Sequence, residues 1–326
     1  MSQFRGDQVT WPIYLSIGNI AKEKHREVSV HATVLIRYIP VSKLECFTEE
    51  TRSLASYRLF HHCMRIILEP LIDAGQKGVE MLCADGKVCR IHSILAAYVA
   101  DHPEQCLVVN VKENRCPRST IEPDARGKPN GCTPKTVTEA LDLLEEHAEG
   151  EDPPAFEAQG LRPVYEPFWK DLPYADIFSC LTPDILHQLH KGVFKDHLMQ
   201  WITAVISEDE LDRRFMAMPN VSGLRHFMRG ISHMQQWTGT KHKEMQKVFV
   251  ALLSGAVLAK VLTVAQAVVD FIYYAQFHQH MTISLHTLET ALATFHQHKD
   301  IFVELGVQEH FNIPKLHSMV HYPDAI

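Results

Sequence analysis

From Pro183 onward the apolar residues of this chain recur at helical spacing almost without interruption, whereas before it β-branched and aromatic residues come in short runs closed by Gly, Asn or Pro. A period near 3.6 draws one apolar stripe along a helix, while a short run bounded by turn residues belongs to a strand. The change of pattern predicts an α/β part followed by a mostly helical part. Helices are expected over 183–205, 207–217, 241–255, 257–279 and 284–304, with Pro219 and Gly223 marking a turn and Gly306 ending the last. No repeat at solenoid period is present, so residues 181–326 read as a packed helical domain and not a stack.

In the first half, Trp11–Ile17 and His31–Ile39 read as strands, closed by Gly18-Asn19 and by Pro40. A helix is expected from about Thr51 to Asp73, with Leu59, Met64, Ile67, Leu68 and Leu71 on one face and Gly75 as its stop. Val79–Ala84 reads as a strand ending at Asp85-Gly86, Ile91–Val99 as a helix and Gln105–Val111 as a further strand. This order predicts a mixed sheet with helices on its faces over residues 1–112. Residues 113–180 hold nine of the seventeen prolines and read as a loop-rich connector with one short helix at Thr136–His147.

A chain of 326 residues with 46% hydrophobic residues can bury one large core or two modest ones. The most apolar stretch, Val248 to Tyr274, is broken by Ser254, Lys260, Gln266 and Asp270, so no run reaches the roughly 18 apolar residues of a membrane span. The first residues lack the apolar core of a signal peptide, and eight cysteines in such a chain read as reduced thiols of the nucleus or cytoplasm. A net charge of −7 argues against indiscriminate nucleic-acid binding, yet the charge is uneven. Residues 139–152 carry seven acids and no Lys or Arg, while 213–247 carry seven Lys or Arg and the single acid Glu244. No phosphate loop, dinucleotide fingerprint, zinc-protease or nucleophile-elbow motif occurs, and no small-molecule substrate is evident.

Four constellations carry chemistry. Asp184, His187 and His190 stand at i, i+3 and i+6 in Leu181–Lys191, three ligating or hydrogen-bonding groups on one drifting helical face. Asp85 stands at the expected C-terminal end of a strand, where an acid can hold a divalent metal, although an Asp-Gly pair also simply turns a chain. Cys116-Pro-Arg-Ser119 offers one soft ligand; Cys132 is a candidate second thiol that the spacing does not demand. Gly and Trp lie among the cations of Arg213–Lys247, a composition that suits phosphate contact and base stacking and equally suits a docked loop. His278, His280, His296 and His298 read as surface and capping residues.

Thr182–His197 strongly resembles the D-x-x-H helix of the Plavaka-type transposases of fungi, in the Kyakuja–Dileera–Zisupton superfamily. Gly78–Gly86 is similar to that family's strand carrying the second acid of its DDE/D triad, and Cys116–Ser119 stands where the family shows Cys-Pro-x-Cys. Gly223-Leu-Arg-His-Phe227 and Gln236-Trp-Thr-Gly239 resemble its Gly-Leu-Arg-x-Phe…Gln-Trp-Thr-Gly hallmark. The resemblance implies a ribonuclease H-like mixed sheet, incomplete here, with residues 1–112 as a partial core and 181–326 as a helical insertion. It implies DNA cleavage and strand transfer with Mg²⁺ or Mn²⁺, with Asp85 as a metal ligand supported by Asp184 and His187. It also implies a zinc site from Cys116, His187 and His190, weakened by Ser119, and DNA contacts from Arg225, Arg229, Trp237 and Lys241.

The family's first acid is expected before Ser2 and its final Glu beyond the His317–Tyr322 segment. The leading expectation is thus a transposase-derived fragment, catalytically inactive, retaining DNA or partner binding, with homo-oligomers formed through an exposed sheet edge. The alternatives are a helical protein-interaction module without nucleic-acid function, or a complete transposase whose ends were lost to gene-model errors.

Overall fold

Two separate hydrophobic cores organise the chain. The computed structural model describes residues 2–3, 9–129, 132–234 and 238–326. One unit takes residues 1–98, 106–112 and 135–181, and the other takes 99–105, 113–134 and 182–326. Residues 113–180 are therefore divided between the two.

The first unit is mixed α/β, with two small antiparallel sheets. Strands β1 (Ser2–Gln3), β2 (Val9–Ser16) and β3 (Thr33–Val41) pair in that order, with an irregularity between Ile13 and Tyr14. Strands β4 (Val79–Leu82) and β5 (Val88–Ile91) form a separate hairpin whose residues are all exposed. The single mixed sheet expected from the strand order is thus two sheets among the described residues, both antiparallel.

The helix Glu49–Lys77 is the spine of this unit. Thr48 caps it by accepting from the Thr51 amide, and Tyr57, Phe60, His61, Met64 and Leu68 form its buried stripe. Gly75 does not end it; the chain runs on to Lys77 and stops at Gly78, whose φ of 74° belongs to the left-handed region. Gly75 has a packing reason instead, because a Cβ there would lie 2.3 Å from Pro173 Cγ.

Two local expectations fail. Gln105–Val111 is not a strand; His102–Val108 is a helix, started by Asp101, whose carboxylate accepts from the Glu104 amide at 3.1 Å. A short, fully buried apolar run has no period to read, which is why its sequence misleads. Ile91–Val99 is not a helix, because distant groups take up its polar atoms. His92 Nδ1 lies 2.8 Å from the Gly75 carbonyl, the Tyr98 amide donates to the Cys180 carbonyl, and the Cys180 thiol donates to the Leu95 carbonyl.

His61 sits at the centre of this core, fully buried. Its Nε2–H donates to the Leu107 carbonyl at 2.9 Å, and its Nδ1 accepts from the Phe168 amide at 3.3 Å. That pairing fixes the neutral tautomer, and burial lowers the pKa to about 4 against a weaker opposing effect of the Leu107 bond. The unfolded chain takes up this proton near pH 6.5 and the folded chain only near pH 4. The associated stability is complete above about pH 6.5 and is lost as pH falls toward about 4, roughly 3 kcal/mol in all. In urea titrations between pH 7 and pH 4, His61→Gln is expected to lose stability less steeply than the wild type, by about one proton.

The second unit is helical. After Pro183 the chain enters Ile185–Met199, a π-helix, and continues as the α-helix Gln200–Ile206. Glu208–Met216, Gly239–Leu253, Ala259–Ala275, Thr282–His298 and Ile301–Glu304 follow, with Ser207 and Thr238 capping the first two of these. The apolar stripes meet in a core that includes Phe194, Trp201, Phe215, Phe249, Phe271 and Phe302. No described helix is long and apolar enough to cross a membrane.

Candidate functional site

Pro314 opens a short helix, Pro314–Ser318, which continues through the 3₁₀ turn Met319–His321. His317 and His321 stand four residues apart and therefore share one face of this run. The segment around Cys116 is fixed beside it by local bonds. Ser119 bridges to Pro134, the Thr120 amide donates to the Thr133 carbonyl at 3.0 Å, and the Gly127 amide donates to Asn312 Oδ1 at 2.9 Å. The Lys299 ammonium donates to the Gly127 carbonyl.

The result is a convergence of soft ligands. Cys116 Sγ lies 3.3 Å from His321 Nε2, and His321 Nε2 lies 3.2 Å from His317 Nε2. Ser119 Oγ is 3.2 Å from His317 Nε2. The Cys116, His317 and His321 atoms all fall within 4.8 Å of one another, a group that could hold a metal ion. Ligands at 2.0–2.3 Å from a tetrahedral ion stand about 3.3–3.8 Å apart, so the spacing fits.

Two of the three groups are shifted toward their metal-binding forms. Burial raises the Cys116 thiol, but hydrogen bonding and charge from His317, aided by Ser119 and the Arg118 amide, outweigh it and bring the pKa to about 7. Burial, then the charge of Arg118, hold His321 near 4 against Asp324, so its imidazole stays neutral. A thiolate at Cys116 and a neutral His321 are forms that bind metal, and the charge on His317 that favours the thiolate would leave as a proton on binding. Beside the three groups is a cavity also lined by Arg115, Arg118 and Arg126.

Cys116 thus meets His317 and His321, not His187 and His190. The Asp184 carboxylate caps the π-helix, accepting from the His187 amide at 3.0 Å and contacting His187 Nδ1 at 2.7 Å. His190 points into the helical core, 6.3 Å between ring centroids from His242, and burial, with Lys243 and His242, lowers its pKa to about 4. The D-x-x-H motif is here a helix cap whose Asp184 and His187 side chains contact each other. The signal for the missed histidines was present, since His317-Ser-Met-Val-His321 has the i, i+4 spacing of two ligands on one helical face.

Asp85 lies at the exposed tip of the β4–β5 hairpin. Its carboxylate accepts from the Lys87 amide at 3.1 Å and pairs with the Lys87 ammonium at 3.4 Å. Gly86 supplies the φ of 78° that closes the turn. Among the described residues Asp85 belongs to no group of potential metal ligands.

Arg225 and Arg229 are exposed on the loop after Glu208–Met216, and Lys241 lies in the first turn of Gly239–Leu253. Trp237 is outside the described residues. The loop is anchored by Asp212, whose carboxylate accepts from the Ile231 amide at 2.6 Å, the Ser232 amide at 3.1 Å and the Ser232 hydroxyl at 2.5 Å. Gly230, with a φ of 73°, lies so close that a Cβ would stand 2.3 Å from Asp212 Cγ. Of the other cations, Arg213 and Arg214 pair with Glu210, and Lys247 pairs with Glu244.

Comparison with known proteins places the chain in a class that the loop and helix motifs had indicated, the DNA transposases. The family described as Plavaka transposase matches residues 1–202, and the chain belongs to that family. No curated protein and no solved structure matches it.

Proposed function

We propose that this chain is a transposase-derived protein that binds DNA through its helical part and has no strand-transfer activity of its own. The observation that carries the second half is the setting of Asp85, which is exposed at a hairpin tip and engaged by Lys87. Two-metal phosphoryl transfer needs several carboxylates clamping ions about 3.5–4 Å apart. We read β2, β3 and β4 as remnants of a ribonuclease H-like sheet on the strength of family membership. The DNA surface is the exposed loop bearing Arg225 and Arg229, held by Asp212, with Lys241 at the next helix start.

Cys116, His317 and His321 are read as ligands of zinc, since a sulfur and two imidazole nitrogens suit that ion and not the oxygen-seeking Mg²⁺. Zinc here would be structural, tying the Cys116 loop to the His317–His321 helix.

The purified chain, incubated with duplex DNA and Mg²⁺ or Mn²⁺, is expected to leave the DNA uncut. Retention of DNA is expected to weaken with salt, and Arg225→Glu with Arg229→Glu to reduce the logarithmic salt slope by about 2. Cleavage that disappears in Asp85→Ala would overturn the inactive reading. A double variant that binds DNA as the wild type does would overturn the assigned surface.

A further inference from the structure

We propose that Cys132 is the fourth ligand of the metal site, replacing the second cysteine whose place Ser119 occupies; this rests on reading Cys116, His317 and His321 as metal ligands. A structural zinc site takes four protein ligands, and three converge here. Ser119 stands beside them, 1% exposed, with Oγ 3.2 Å from His317 Nε2. A neutral hydroxyl is a poor zinc ligand, so the fourth position needs a better donor.

The chain brings one close. The bridge between Ser119 and Pro134 and the bond from the Thr120 amide to the Thr133 carbonyl lay residues 132–134 alongside the Ser119 segment. Cys132, two residues before Pro134 and partly buried, is carried by this ladder to the Ser119 side of the ligand group. Cys116, His317 and His321 line the cavity, but Ser119 and Cys132 do not.

The Cys132 sulfur lies outside the group of three and must turn toward it to complete the set. Binding replaces the thiol protons of Cys116 and Cys132 with one Zn²⁺ and releases them to solvent, with no change of oxidation state. The site is then Cys₂His₂ in ligand type, with Ser119 donating a hydrogen bond to a bound thiolate.

The test uses the full chain loaded with zinc. X-ray absorption at the zinc edge is expected to report two sulfur and two nitrogen neighbours. Loss of a partner outside the ligand shell costs ten- to hundred-fold in affinity, so Cys132→Ser is expected to weaken zinc binding by more than about 100-fold. Ser119→Cys added to Cys132→Ser is expected to restore it, which a packing role for Cys132 would not produce. A single sulfur neighbour, with Cys132→Ser binding zinc as tightly as the wild type, overturns the Cys132 assignment and leaves the three-ligand site standing. Absence of stoichiometric zinc from the wild type overturns both.

Discussion

Adding zinc to metal-free protein is expected to raise its thermal unfolding midpoint by roughly 10 °C when free zinc exceeds the dissociation constant about a thousand-fold. The size follows from mass action. A ligand that binds only the folded state adds about 4 kcal/mol under those conditions, and each kcal/mol moves the midpoint by about 2–4 °C in a unit of this size. The full effect is expected because the proposed ligands come from segments some 200 positions apart, as Cys116 and His321 show, so the unfolded chain offers the metal no competing site. No local structure of the unfolded chain prearranges them. Replacing His321 by Ala is expected to abolish the zinc-induced shift while leaving the metal-free midpoint within a few degrees. Differential scanning calorimetry with and without zinc makes the measurement, and a shift that survives His321→Ala would remove this histidine from the site.

Trp169→Ala is expected to destabilise the α/β unit by about 3–5 kcal/mol. The side chain is 1% exposed and packs beside Phe178, with 6.1 Å between ring centroids. Its indole N–H donates to the Val108 carbonyl at 2.8 Å, so truncation opens a cavity and also strips a buried acceptor. Trp169→Phe keeps most of the buried area and loses only the bond, with an expected cost of about 1–2 kcal/mol. Urea denaturation followed by far-ultraviolet circular dichroism separates the two variants. Equal losses would show that the hydrogen bond, and not the packing, dominates at this position.

Much of the helical half was legible because its signals are local. The apolar period, together with Ser207 and Thr238 at helix starts, needs nothing beyond a few neighbouring residues. The first strand before Asp85-Gly86 was legible for the same reason, but its partner Val88–Ile91 was not expected. The stretch Gln105–Val111 was not, because complete burial of Cys106 to Val109 removes the polar-apolar contrast on which a period depends. The capping Asp101 was a readable cue that the apolar run obscured. Ile91–Val99 looked helical by composition, and its conformation is decided by the carbonyls of Gly75 and Cys180.

The candidate site divides in the same way. Cys116 was visible as a candidate ligand from its residue type, whereas the sequence reading paired it with His187 and His190 and the structure brings His317 and His321 beside it. Asp184 and His187 satisfy each other, and His190 is absorbed by the core. Arg225 and Arg229 were found as exposed cations, but the sequence did not reveal that Asp212 holds their loop.

By itself the amino-acid sequence determined the family and the passage from α/β to helical structure near Pro183, and it offered Cys116 and the cations of 213–247 as candidates. Tertiary structure alone decided that Cys116 belongs with His317 and His321 and that Asp85 stands apart on a hairpin. The physical reason is range. Helical period, capping and turn chemistry act over a few residues, while a ligand set is assembled by packing between segments whose separation along the chain carries no trace of their distance in space.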